Sequence, residues 1–304
     1  MKMNENTISV DDIHKLNYEL HGNPKGNTIL FVHGGPGLGV KKTDLNFFDL
    51  SKQNVILFDQ RGCGKSIPKG ELNSNTTEHL INDMDKILKK LNKKEVFLFG
   101  GSWGSTLSLL YAMKYPKKVK GLIIRGLFTA TKREREHFEL GGTKIKFREE
   151  WNRFISFVPS KYLENPSQYY FNQVLTGDMK TKSMYSFELI RYGNSVAGKK
   201  KQPDIIDVEL KKNDYLSQAK ILSHYSINNF FLPDNFIEDN MIKIKQIPIK
   251  LLHGIHDQIT LFSTAQNFSK MYENIELISV DAGHSSSDEL MKKALVKTVK
   301  EFVI

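Results

Sequence analysis

The feature that most restricts this chain is a serine held among glycines, Gly100-Gly101-Ser102-Trp103-Gly104, between two contrasting stretches. Before it runs the apolar segment Val96–Phe99; after it, Ser105–Tyr115 has helical spacing until Pro116. A buried strand that turns at once into a helix belongs in a sheet covered by helices. The glycines let the chain turn sharply and keep the turn free of crowding side chains. The serine hydroxyl then projects from the strand's end, beside the free N–H groups of a helix start.

The rest of the chain keeps that rhythm. Short apolar runs predict strands over His14–Leu20, Thr28–Val32, Val55–Phe58, Gly121–Ile124, Pro248–Leu252 and Ile275–Val280. Longer stretches predict helices. In Thr77–Leu91 the residues Leu80, Ile81, Met84, Ile87, Leu88 and Leu91 share one face, and Thr76 or Thr77 can cap its start. Phe262–Met271 and Glu289–Phe302 are further helices. About Phe128 to Met241 the rhythm breaks. That stretch lacks buried-strand runs, reads as mostly helical and is dense in aromatics, among them Phe138, Trp151, Phe154, Tyr170, Tyr185 and Tyr192. Aromatics at helical spacing usually form a core, with a few left to line a pocket. The expected organisation is an α/β core over 1–127 and 242–304, carrying a helical cap over 128–241.

Composition narrows the function classes. With 39% hydrophobic residues the chain is globular, and no apolar run approaches the roughly 18 residues a membrane span needs. The polar stretch from Met1 to Val10 lacks the apolar core of a signal peptide. A single cysteine, Cys63, excludes an intrachain disulfide and a cysteine-based zinc site. The expectation is a soluble, cytoplasmic protein without a membrane partner. The net charge of +10 invites a nucleic-acid reading, but only seven of the 44 basic residues are arginine, leaving 37 lysines. These are scattered, the longest run being Lys199, Lys200, Lys201, as on solvated faces. No nucleic-acid partner is expected, and nothing in the sequence specifies an oligomeric one.

A serine is a poor nucleophile without a base and a group that orients the base. His284, in Asp281-Ala282-Gly283-His284, follows the strand Ile275–Val280; Asp257, in His253-Gly254-Ile255-His256-Asp257, follows Pro248–Leu252. Serine, acid and histidine thus come in order, each just past a strand. His253 and His256 precede the acid, and Asp281, three residues from His284, fits the turn better. An oxyanion needs two backbone N–H donors. One is Trp103, at the helix start. The other is expected in His33-Gly34-Gly35-Pro36-Gly37, directly after Ile29–Val32, with Gly35 as donor and Gly34 as the alternative. His33 braces that loop. Asp59-Gln60-Arg61-Gly62-Cys63-Gly64-Lys65-Ser66 contains Gly-Lys-Ser, but a phosphate loop needs glycine where Asp59 stands. It reads as a polar turn bracing the oxyanion loop.

HGGPG, DQRGCGKS, GGSWGSTLSLLYA, RGLF at 125–128, HGIHD and AGHS occur together and in order. The chain therefore resembles the prolyl aminopeptidase (proline iminopeptidase) family of α/β-hydrolases, most strongly over 28–157 and 247–286. The resemblance implies an α/β-hydrolase fold, a mostly parallel sheet flanked by helices with an inserted helical cap domain. It implies a serine hydrolase that releases an N-terminal proline, or a similar small residue, from a small peptide through Ser102, His284 and Asp257, with no cofactor or metal. It makes Phe138 a wall of the substrate pocket. Members of the family hold the substrate amine with two cap glutamates, and here those positions align with Gly193 and Leu222. Either Glu139, Glu188 or Glu209 substitutes, or the enzyme acts on another small acyl substrate, an ester, lactone or amide lacking a free N-terminal amine.

Overall fold

The computed structural model describes residues 5–197 and 203–303; the lysine run 199–201 and Met1 to Asn4 lie outside the described residues. Eight strands form one sheet: β1 (Glu5–Ser9), β2 (Lys15–Gly22), β3 (Asn27–Val32), β4 (Gln53–Phe58), β5 (Val96–Gly101), β6 (Val119–Arg125), β7 (Ile249–Gly254) and β8 (Ile275–Val280). Their order is β1-β2-β4-β3-β5-β6-β7-β8. Pairing is antiparallel for β1 with β2 and β2 with β4, and parallel from β4 through to β8. All seven predicted strands are present, with ends shifted by at most two residues. β1 is the addition. Its sequence ENTIS carries no apolar run, and it forms because the sheet's edge gives its backbone a partner in β2.

Side chains alternate across the parallel strands, so the sheet buries both faces. Leu30, Val32, Ile56, Phe58, Val96, Leu98, Leu122 and Ile124 face one core. That core is closed by α1 (Thr77–Lys90), α2 (Trp103–Lys114) and α10 (Phe262–Met271). Ile29, Phe31, Val55, Leu57, Phe97, Phe99 and Ile123 face the other, closed by Phe47, Phe48 and α11 (Glu289–Phe302). α1 is amphipathic, as its spacing predicts. In α2 every residue from Trp103 to Met113 is buried, so it carries no polar stripe, and it starts two residues before the predicted Ser105.

Between β6 and β7 the chain forms α3 (Lys132–Glu139), α4 (Arg148–Ser156), α5 (Pro166–Thr176), α6 (Met179–Ala197), α7 (Pro203–Lys211), α8 (Tyr215–Ile227) and α9 (Phe236–Asn240), with no strand among the described residues. Trp151, Phe154, Tyr170, Tyr185, Leu189 and Tyr192 pack into a core of their own. Phe154 stacks on Tyr170 at 4.0 Å and on Tyr192 at 4.6 Å between ring centroids. α8 joins this helical layer to the sheet. Ala219 belongs to the helical core, while Ile221 and Tyr225 enter the core under the sheet. Tyr225 Oη also donates to Asn75 Oδ1 at 2.9 Å. Among the described residues no helix is long and apolar enough to cross a membrane.

Candidate active site

Register brings the functional loops to one edge. Val32 pairs with Gly100, Gly101 with Arg125, and Arg125 with Leu252, so β3, β5, β6 and β7 end nearly level. The segments that leave these ends carry His33 to Gly37, Ser102, Gly126 and Asp257, and the end of β8 delivers His284. Ligand sites of parallel sheets lie at this carboxyl edge because the connecting loops converge there.

Ser102 occupies the sharp turn that its glycine neighbours predict. Its φ is +55° and ψ −123°, a conformation sparsely populated by any residue with a Cβ. Its N–H donates to Arg125 O at 2.8 Å and its carbonyl accepts from Ser105 N–H at 2.7 Å, so both neighbouring segments hold the turn. The ideal Cβ of Gly34 would lie 3.6 Å from Ser102 Cβ and 3.0 Å from Gly101 O, which places the glycine loop against the serine.

His284 and Asp257 meet directly. His284 Nδ1 lies 2.7 Å from Asp257 Oδ2, so Nδ1 carries the proton and donates it to the carboxylate, leaving Nε2 as acceptor. The other lone pairs of Asp257 are used: Ile259 N–H and Thr260 N–H donate to Oδ1 at 2.9 and 3.0 Å, and Thr260 Oγ1 donates to Oδ2 at 2.9 Å. Burial works to raise this carboxyl, but the charge and hydrogen bond of His284, then His253 and the Thr260 N–H, outweigh it and hold it at about 2. The rivals fall elsewhere. His256 Nε2 lies 2.9 Å from Asp281 Oδ1, both exposed at the surface. His253 is buried; its Nδ1 accepts from Leu127 N–H at 3.2 Å and its Nε2 donates to Thr260 O at 2.8 Å. Gly126 supplies the room: at φ +57° its ideal Cβ would stand 3.2 Å from His284 Cε1 and 3.5 Å from Asp257 Oδ2.

The two segments expected to supply the oxyanion donors are cross-braced. His33 Nδ1 donates to Gly34 O at 2.9 Å and its Nε2 accepts from Gln60 N–H at 3.0 Å, which fixes a neutral ring; burial lowers its pKa accordingly. Gln60 Nε2 donates to His33 O at 2.8 Å, and Gln60 Oε1 accepts from Trp103 Nε1 at 3.2 Å. The turn holding Gln60 is anchored by buried Arg61, whose guanidinium donates to Asp83 at 2.6 and 2.7 Å. The indole of Trp103 is fully buried, so only its backbone can serve the site. Cys63 beside this turn is buried, and burial raises its thiol well above the usual range.

A cavity of about 460 Å³ opens over these groups. Ser102, His284, Gly34 and Gly35 line its floor side, and Phe138, Leu189, Gly193 and Leu222 come from the helical layer. Phe138 is thus in the wall, 5.5 Å from the Tyr192 ring centroid. Gly193 and Leu222 are in the wall too, without a carboxylate. Of the three suggested substitutes, Glu139 lines the cavity; Glu188 is held by Arg153 at 2.7 and 2.9 Å, and Glu209 is exposed, both outside the wall.

Sequence reading missed Arg125, Thr260 and Glu134. Arg125 lines the cavity, and its guanidinium donates to His284 O, so one residue ties the serine turn to the histidine loop. The motif RGLF was the available signal, without a role attached. Among the described residues no group of three or more His, Cys, Asp or Glu is placed to hold a metal ion.

Residues 27–289 match the sequence profile of the alpha/beta hydrolase fold family. The chain is 34% identical, over 97% of its length and 93% of the relative's, to a probable proline iminopeptidase of Leptolyngbya boryana. It is 33% identical to the proline iminopeptidase of Neisseria gonorrhoeae, covering 97% and 95%. Among solved structures, an esterase from Exiguobacterium antarcticum superposes with a TM-score of 0.67 at 19% identity over 98% of both chains, a likeness of fold.

Proposed function

The chain belongs to the proline iminopeptidase family of α/β-hydrolases, and from that premise we propose that it is a serine aminopeptidase releasing N-terminal proline, or a similar small residue, from short peptides. The observation that carries the chemistry is the Asp257–His284 pair, with Nδ1 engaged at 2.7 Å, opening on the same cavity as Ser102.

Ser102 Oγ attacks the scissile carbonyl carbon while His284 Nε2 takes its proton. Asp257 orients the ring and stabilises the imidazolium. The backbone N–H groups of Trp103 and Gly35, with Gly34 as the alternative, receive the oxyanion. Collapse breaks the C–N bond, and the leaving amine takes the proton from His284. Water, deprotonated by the same nitrogen, then releases the acyl group and restores Ser102. Residues 128–241 act as the cap that selects the substrate, Phe138 forming part of its pocket. The single buried cysteine suits a reducing cytoplasm.

Gly193 and Leu222 motivate a second reading, a substrate lacking a free amine. Rates on proline 4-nitroanilide, its N-acetyl counterpart and a short-chain nitrophenyl ester separate the two. The peptidase reading expects Ser102-dependent cleavage of the free-amine anilide over the blocked one, and Ser102→Ala to lower turnover on the order of a million-fold. Ester cleavage with no proline anilide activity overturns it.

A further inference from the structure

An aminopeptidase must hold a cationic amine within its pocket, and a buried charge without a partner costs several kcal/mol. The two cap positions aligned with the family's glutamates offer nothing: Leu222 is apolar, and no atom lies within 4 Å of the ideal Cβ of Gly193. The carboxylates in the cavity wall, among the described residues, are Asp44, Glu134 and Glu139. Asp44 already accepts from Lys41 N–H at 2.7 Å, beside the glycine loop. The other two stand on α3.

Glu134 is 7% exposed. Its Oε2 accepts from Thr129 N–H at 2.9 Å and Thr129 Oγ1 at 2.7 Å, while Oε1 is buried without a hydrogen-bond partner. That oxygen is closed to the cavity, and the charge of a second carboxyl, Glu238, adds to burial in raising Glu134. The carboxylate of half-buried Glu139 accepts no hydrogen bond from the described residues; its one charged counterpart, Arg135, directs its Nη1 to Ala130 O at 2.6 Å. α3 itself is fixed. His137 Nε2 donates to Gln258 O at 3.0 Å, in the loop of Asp257, and Ser167 Oγ donates to Glu139 O at 2.8 Å. Burial holds both glutamates up at about 7, as expected of acids short of a cation.

We infer that Glu139 of α3 holds the protonated N-terminal amine of the substrate, doing what Gly193 and Leu222 cannot. This rests on the peptidase reading above, and it makes α3 the element that demands a free amine. The role of Glu139 is in binding and selectivity, not in breaking the bond.

The test is calorimetric titration of Ser102→Ala protein, which binds without turnover, with proline 4-nitroanilide and its N-acetyl counterpart. The free-amine compound is expected to bind at least ten times more tightly. Adding Glu139→Gln should remove about 10- to 100-fold of that preference, the usual weight of a charged hydrogen bond. A far-ultraviolet spectrum and melting curve check that Glu139→Gln folds. Equal binding of the two compounds by the Ser102→Ala protein, absent binding included, overturns the inference. So does a preference that survives Glu139→Gln. Failure of the peptidase reading looks different: the intact enzyme leaves proline 4-nitroanilide uncleaved although the amine preference and its dependence on Glu139 are present.

Discussion

Replacing Ser102 by glycine should make the protein more stable than replacing it by alanine, although both variants lose the hydroxyl. At φ +55° and ψ −123° the residue sits where a Cβ is strained, at a cost of about 1–3 kcal/mol. Alanine keeps that Cβ and the strain; glycine removes it. Glycine also loses more backbone freedom on folding, about 0.5–1 kcal/mol, which offsets part of the gain. The difference should therefore be about 1 kcal/mol in favour of glycine, or about 1–2 °C in melting temperature for a chain of this size. Urea unfolding followed by tryptophan fluorescence suits the measurement, because Trp103 is adjacent and fully buried. An alanine variant equal to or more stable than the glycine variant would refute the claim that the turn holds the serine under strain.

Gly126→Ala should lower kcat by about 10- to 100-fold, since its Cβ would press on the His284 ring from 3.2 Å; hydrolysis rates at full folding check it. Asp257→Asn should cost about 10⁴-fold in kcat while KM changes little, because an amide can leave His284 in the wrong tautomer. Stability should carry a signature of Glu134. A carboxyl held at about 7 binds its proton more tightly folded than unfolded, so its contribution is full below its unfolded value near 4.5 and is lost as pH rises through about 7. The total is about 3 kcal/mol, and Glu134→Gln should flatten that part of the pH profile in urea titrations.

The sequence carried the sheet and the reacting groups because both leave local traces. An apolar run followed by Gly-x-Ser-x-Gly specifies strand, turn and helix within ten residues. Asp257 and His284 are legible because each immediately follows a strand, and the parallel register then levels those strand ends. β1 left no such trace: ENTIS is polar, and only its pairing with Lys15 to Glu19 makes it a strand. The pocket was harder still. KREREHFE in α3 looks like a solvated face by composition, and nothing local marks Glu134 as buried or Glu139 as half-buried over the site. Arg125 acts through a contact with the His284 carbonyl 159 residues away, which no local pattern encodes, and Thr260 reaches the Asp257 carboxylate from three residues on, within a loop that carries no motif of its own.

The central claim is that Ser102 is the nucleophile activated by His284. Treating the protein with a fluorophosphonate and mapping the adduct by peptide mass spectrometry tests it most directly. One adduct is expected, on Ser102, formed far more slowly in His284→Ala. An unmodified Ser102, or an adduct on another residue with hydrolysis lost alongside it, would contradict it.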